Sequence, residues 1–218
     1  MRTVELRVLC EGETEQTFVV KVLRPYLEPF RVFATSQSLM PVGFGTVPFE
    51  RLHKSIKTEV GRSRDHQYVT TMIDLYGLRE FPASERIPGE TPLARVQRIE
   101  DAMRQSLPSP LFIPYIQLHE FEALVFADLD LLPTQFPDGE ADAAPARLRE
   151  GIGTLGPEDV DDGPDSSPSK RLMKSVLGYD ALKAVAGPEI AARIGVPRLR
   201  ASCPHFGAWV GRLERLAG

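Results

Sequence analysis

The first ordered pattern is residues 3–10, Thr-Val-Glu-Leu-Arg-Val-Leu-Cys, which alternate imperfectly and are rich in strand formers. Phe18, Val19, Val22, Leu23, Tyr26 and Leu27 then recur at the spacing of one helical face, which ends near Pro29. Residues 31–36 predict a second strand, and a Gly/Pro-containing loop runs to about Pro48. A basic helix is expected over 49–60, carrying Arg51, His53, Lys54 and Lys57. Residues 68–73 form an apolar strand pattern ending at Asp74, and a loop with Gly77, Pro82, Pro88 and Gly89 leads to a helix near 91–107. Residues 111–118 read as the next strand, and 119–126 as a turn into a helix.

This β-α alternation predicts an α/β fold, with a mostly parallel sheet flanked by helices. From about residue 133 the texture changes: 133–168 is rich in Pro, Gly, Asp and Ala, and 168–177, 179–194 and 204–217 look helical. The expected organisation is an α/β core over 1–130 and a helical C-terminal extension over 131–218 packed on it.

The composition is that of an ordinary globular protein, with 42% hydrophobic and 26% charged residues. Two cysteines, Cys10 and Cys203, cannot build a disulfide framework, and no C-x-x-C pair suggests zinc. The first residues read as a strand, not a signal peptide, and no apolar run approaches the roughly 20 residues that span a bilayer. A cytoplasmic protein is expected. The net charge of −4 argues against a nucleic-acid coat protein but not against a nuclease, whose clustered metal ligands are acidic.

Acidic motifs follow three of the predicted strands, where the ligand crevice of an open α/β sheet lies. In Glu11-Gly12-Glu13-Thr14-Glu15 the glycine permits a sharp turn, placing Glu11 at the strand tip and Glu15 in the first helical turn. Thr14 is the expected N-cap, and a plain helix start with dipole-complementing glutamates explains the same residues. Asp74-Leu75-Tyr76-Gly77 delivers a carboxylate to the same edge, or simply begins a turn. In Gln117-Leu118-His119-Glu120-Phe121-Glu122, a helix would put His119 and Glu122 on one face, and a strand would put Glu120 and Glu122 together. The fourth motif, Pro168-Ser169-Lys170-Arg171, opens a helix with Ser169 near its N-cap, suited to a phosphate or to ordinary capping. Mg²⁺ or Mn²⁺ held by two or three carboxylates fits this donor set.

Together with Ala201-Ser202-Cys203-Pro204-His205-Phe206-x-x-Trp209, these four motifs resemble the family catalogued as domain of unknown function 4276. The resemblance spans nearly the whole chain. It implies a relation to Toprim domains, the catalytic fold of topoisomerases, primases and overcoming-lysogenization-defect nucleases, and to defence loci that encode a partner ATPase. By the Toprim pattern Glu11 and Asp74 are the strand-end acids. The usual Asp-x-Asp is here Asp74-x-Tyr76, so a further carboxylate must come from Glu120 or Glu122.

The expected activity is Mg²⁺- or Mn²⁺-dependent cleavage of a nucleic-acid phosphodiester. Glu11, Asp74 and Lys170 are the catalytic candidates; Glu11, Glu15, Asp74, Glu120 and Glu122 the metal ligands; Ser169, Lys170, Arg171 and His119 the phosphate or substrate contacts. The rivals are a non-catalytic metal-binding or regulatory subunit of an ATPase, and a phosphatase of small phosphoesters. Arg51, Lys54, Lys57, Arg62, Arg64, Arg198, Arg200, Arg212 and Arg215 are candidate backbone contacts or merely solvated charges. Phe206 and Trp209 are read as core anchors.

Overall fold

The computed structural model describes residues 2–39, 48–62, 66–76, 78, 80–136, 139–160, 163 and 165–218. Gly77 and Arg64, both named above, lie outside them, as does most of the loop before Pro48.

The sheet has five strands: β1 (Val4–Cys10), β2 (Val32–Ser38), β3 (Gln67–Asp74), β4 (Phe112–Ile113) and β5 (Ile116–Gln117). Their order is β2-β1-β3-β4, with β5 also beside β3, and the pairings are parallel. The strand expected over 111–118 is broken at Pro114, which has no N–H for a ladder. Thr71 fills the break: its Oγ donates to the Tyr115 carbonyl (2.8 Å) and accepts from the Tyr115 amide (2.9 Å).

Between β1 and β2, α1 (Glu13–Phe18) runs through a π turn (Val19–Leu23) into α2 (Arg24–Leu27) and a 3-10 turn (Glu28–Phe30). Pro25 cannot donate back into the preceding turn, and the π turn lies immediately before it. α3 (Phe49–Arg62) and α4 (Pro92–Ser106) cover one face of the sheet, where Leu52, Ile56, Val96, Ile99 and Met103 meet Leu9, Val69, Ile73, Phe112 and Ile116.

The opposite face is set by the two-residue period of β1. Val4, Leu6, Val8 and Cys10 point into a larger core that includes Phe18 and Leu23 from the first helical stretch. The chain after β5 joins this core through a 3-10 helix (Phe121–Ala127), α5 (Ala144–Ile152), α6 (Pro168–Ser175), α7 (Tyr179–Ile194), α8 (Val196–Ser202) and α9 (Pro204–Glu214). Phe206 and Trp209 are buried here, Phe206 alone contributing roughly 1.5–3 kcal/mol by burial. Trp209 stacks on Tyr115 with ring centroids 4.1 Å apart and donates from Nε1 to Thr70 Oγ at 3.0 Å. Cys10 and Cys203 are free and buried. Among the described residues no helix is long and apolar enough to cross a membrane.

Candidate functional site

Glu11 is the first residue beyond β1. Its amide donates to the Met72 carbonyl (3.1 Å), and its Oε2 accepts the Asp74 amide (2.9 Å). These bonds tie the tips of β1 and β3 together and fix the direction of the Glu11 carboxylate. The next tip is joined the same way, since the amides of Leu75 and Tyr76 donate to the carbonyls of Gln117 and His119 at 3.0 and 2.9 Å. Three separate segments therefore end at one edge.

Local backbone geometry differs from the sequence reading at two of them. The N-cap of α1 is Gly12, not Thr14, and the Glu15 carboxylate reaches back to accept the Gly12 amide at 2.8 Å. A carboxylate three residues after the cap is the better acceptor for that amide, and the extended glycine leaves room for it. At the third motif neither regular alternative holds. His119 has φ 61°, Glu120 is extended, and Glu122 lies in the first turn of the 3-10 helix.

The outcome is one electrostatic cluster. Burial raises the pKa of Asp74 well above the carboxylate range, and the charges of Glu15, Glu11, Glu122 and Glu120 raise it further. Burial and the Glu11 charge lift Glu15 to about 7. Burial and the Glu120 charge lift Glu122 to about 7. Glu11 is raised by burial, with its bond from the Asp74 amide acting against the shift and Glu120 adding to it. Asp74 is half-buried as a residue, yet its Oδ1 is shut away from solvent with no hydrogen-bond partner among the described residues. The five acids predicted as metal ligands are thus brought within reach of one another's charge. Among the described residues, however, no three His, Cys, Asp or Glu side chains already close on one point as a metal cage. A hard cation that keeps most of its waters needs only one or two carboxylates, so the donor chemistry fits Mg²⁺ or Mn²⁺.

The predicted phosphate contacts behave differently. The N-cap of α6 is Ser167, and Ser169 stands in the first turn. Its amide and hydroxyl donate to Glu120 Oε2 and Oε1, both at 2.9 Å, so both donors face a carboxylate of the cluster. Arg171 holds the preceding loop through Ser166 O (2.6 Å) and the last turn of α5 through Gly151 O (3.2 Å). Lys170 is exposed on the first turn of α6. His119 is buried, and its Nε2 is 2.9 Å from the Glu158 carbonyl. A carbonyl only accepts, so Nε2 carries a proton, and Nδ1 is buried without a hydrogen-bond partner among the described residues.

Three residues escaped the sequence reading. Lys183 of α7 is the cation whose charge lowers both Glu15 and Glu122. Tyr179, the first residue of α7, is buried with a hydroxyl that has no hydrogen-bond partner among the described residues, and burial with the Glu122 and Glu120 charges pushes its phenol well above the usual range. Glu158 holds His119 by its carbonyl, and its carboxylate accepts the amides of His205 and Phe206 at the start of α9. No neighbouring motif marks any of them. A cavity of about 700 Å³ lies elsewhere, between α3 and the sheet, lined by Arg7, Phe33, Gln37, Glu59 and Arg62. Its Glu59 is within ion-pair reach of both arginines, at 3.6 and 3.7 Å, and it shares none of the strand-end acids.

No curated protein and no solved structure matches the chain. A family model does, over residues 10–214, a span that begins at the last residue of β1 and takes in every acidic motif of the strand-end cluster, Ser169 and the whole of α9. The chain belongs to the family described as Domain of unknown function (DUF4276).

Proposed function

We propose that this chain is a Mg²⁺- or Mn²⁺-dependent phosphodiester-cleaving enzyme, a nuclease on a Toprim-related fold, acting in a bacterial defence setting. The observation that carries the reading is the convergence of Glu11, Glu15, Asp74, Glu120 and Glu122 at the strand tips, with a buried Asp74 oxygen left unbonded. Five carboxylates sharing one edge repel one another, and a divalent cation is the ligand that converts this repulsion into binding. Glu11 and Asp74 would hold the ion, with Glu120, Glu15 and Glu122 completing or flanking the site. Bound there, the ion supplies Lewis acidity toward a phosphoryl oxygen and acidifies a water.

The chain's own groups do the rest. The Asp74 amide aims Glu11, and Ser169 holds both oxygens of Glu120. Glu15 and Glu122, with pKa values near 7, are poised to take up or release a proton at neutral pH. Lys183, exposed on α7 but close enough for its charge to act on Glu15 and Glu122, and Lys170, at the exposed start of α6, are the cations to balance charge developing on phosphorus.

The test is cleavage of single- and double-stranded DNA and RNA with Mg²⁺ or Mn²⁺, for the wild type and for Glu11→Ala and Asp74→Ala. The expected result is a loss on the order of 10²–10³-fold or more in both variants. Retained cleavage in both, or none in the wild type with any of the four substrates, defeats the reading.

A second reading, a metal-binding regulatory subunit of a partner ATPase, is favoured by one observation. Leu177, Leu182 and Val185 flank Lys183 and are 78%, 48% and 56% exposed, an apolar surface of the kind that meets another protein.

A further inference from the structure

A polyanionic substrate approaching five carboxylates is repelled, so its affinity must come from cations placed beside the site. Resting on the phosphodiester reading, we propose that the exposed face of α3 is that surface and binds the phosphate backbone of the nucleic-acid substrate flanking the scissile bond.

Arg51, Lys54 and Lys57 recur at i, i+3 and i+6, all three are exposed, and Leu52 and Ile56 bury the other side of the helix. None of the three side chains has an ion-pair or hydrogen-bond partner among the described residues, whereas Arg62 on the same helix is paired with Glu59 at 3.7 Å. Glu50, one turn before Lys54, is within no ion-pair distance of it, so the positive charge of this face is not cancelled locally.

Position completes the case. β2 ends at Ser38 on the carboxyl edge of the parallel sheet, and α3 returns from that edge to the start of β3. The first turn of α3 is anchored there, because the Phe49 ring packs on Phe81, in the segment following Asp74, with centroids 5.1 Å apart. Tyr76, 47% exposed two residues beyond Asp74, adds an aromatic face to the same rim. Unpaired cations running from the acidic edge, with an exposed ring beside it, suit a phosphodiester chain whose bases can stack.

The test compares wild type, an Arg51→Gln/Lys54→Gln/Lys57→Gln variant, and a control of equal charge change, Arg2→Gln/Arg31→Gln/Arg193→Gln, drawn from exposed positions elsewhere on the chain. Anisotropy of fluorescein-labelled DNA and RNA of about 20 nucleotides, in Ca²⁺ over a salt series starting near 50 mM, should show roughly tenfold or greater weakening and a shallower salt slope for the α3 variant only. Hydrolysis of bis(p-nitrophenyl) phosphate with Mn²⁺, an ester too small to reach α3, should be unchanged in that variant. Unaltered oligonucleotide affinity, equal weakening in the control, or no binding by the wild type overturns the proposal. A wild type that binds oligonucleotides through α3 but hydrolyses no ester would leave this surface standing and remove the enzymatic reading instead.

Discussion

Glu100 and Glu158 are 6% and 7% exposed, as deeply buried as Glu15 and Glu122 at 5% and 6%. Their surroundings differ in kind. Glu100 accepts from the Ile116 amide at 2.9 Å and from His205 Nε2 at 3.1 Å, and Glu158 accepts from the His205 and Phe206 amides at 2.9 and 3.0 Å. Each of these acids accepts from donors that tie α9 to α4, β5 and the segment before α6, and at Glu158 those bonds oppose the burial that raises its pKa. At the strand tips the neighbours of an acid are other acids, and Asp74 Oδ1 has no donor. The same fold can therefore satisfy a buried carboxylate where the purpose is cohesion. Leaving five of them in mutual repulsion costs stability, and such a cost persists where a ligand offsets it.

The largest expected effect is on stability against pH and metal. Glu15 and Glu122 have folded pKa values of about 7 against an ordinary value of 4.5, so the native state holds protons there that the unfolded chain has released. Their contribution is fully present below about pH 4.5 and is lost as pH rises through 7. Without metal, Tm should fall between pH 5 and pH 8. His205 acts in the same direction: burial lowers its pKa, but the Glu100 bond and the Glu100 and Glu158 charges outweigh that and raise it. The cluster is isolated by the shallower pH dependence of Glu15→Gln/Glu122→Gln. Mg²⁺ or Mn²⁺ at about 100 times Kd should restore roughly 2.7 kcal/mol, on the order of 5–10 °C, at pH 8, and far less at pH 5. A Tm indifferent to metal at pH 8 would erase the contrast between the two groups of acids.

Opposite signs should appear when single acids are neutralised in metal-free protein at pH 8. Glu122→Gln relieves repulsion and should raise stability by about 1 kcal/mol or more. Glu158→Ala leaves the His205 and Phe206 amides without their acceptor and should cost about 1–3 kcal/mol, a few °C of Tm. Denaturant melts of both variants check the pair. Equal destabilisation would mean that the strand-end acids are as structural as the others.

Much of this arrangement was legible along the chain. Residues 69–73 carry only Thr70 and Thr71 as polar members and are buried without a break because β3 is covered on both faces, and acids directly after such strands had to emerge at the sheet edge. The alternation of periods two and 3.6 was enough for the parallel α/β order. Side-chain direction at the turns was not legible, because long-range partners decide it. Thr14 has the right chemistry for a cap, but Glu15 can reach the Gly12 amide and does. His119 turns toward Glu158, which is 39 residues away in sequence. Lys183 reaches the cluster only because α7 packs beside α1, a contact that no local spacing encodes.

Ser169 is where the two kinds of site meet, and it gives the finest test. Read from sequence, it is a phosphate contact at a helix start; in the fold, its amide and hydroxyl satisfy Glu120 as fully as Glu158 is satisfied. Among the five strand-end acids, Glu120 thus has the donor environment of a structural carboxylate and the neighbours of a functional one. Ser169→Ala removes the hydroxyl bond and keeps the amide bond, so the stability change should be small, about 1 kcal/mol. If Ser169 orients Glu120 for an ion, Mn²⁺ affinity measured by calorimetry should fall about tenfold while the salt dependence of oligonucleotide binding stays unchanged. If it is a substrate contact, the pattern reverses: metal affinity holds and oligonucleotide affinity drops. The 2.9 Å bonds to both oxygens of Glu120 favour the first outcome, since a phosphate could use those donors only after displacing the carboxylate.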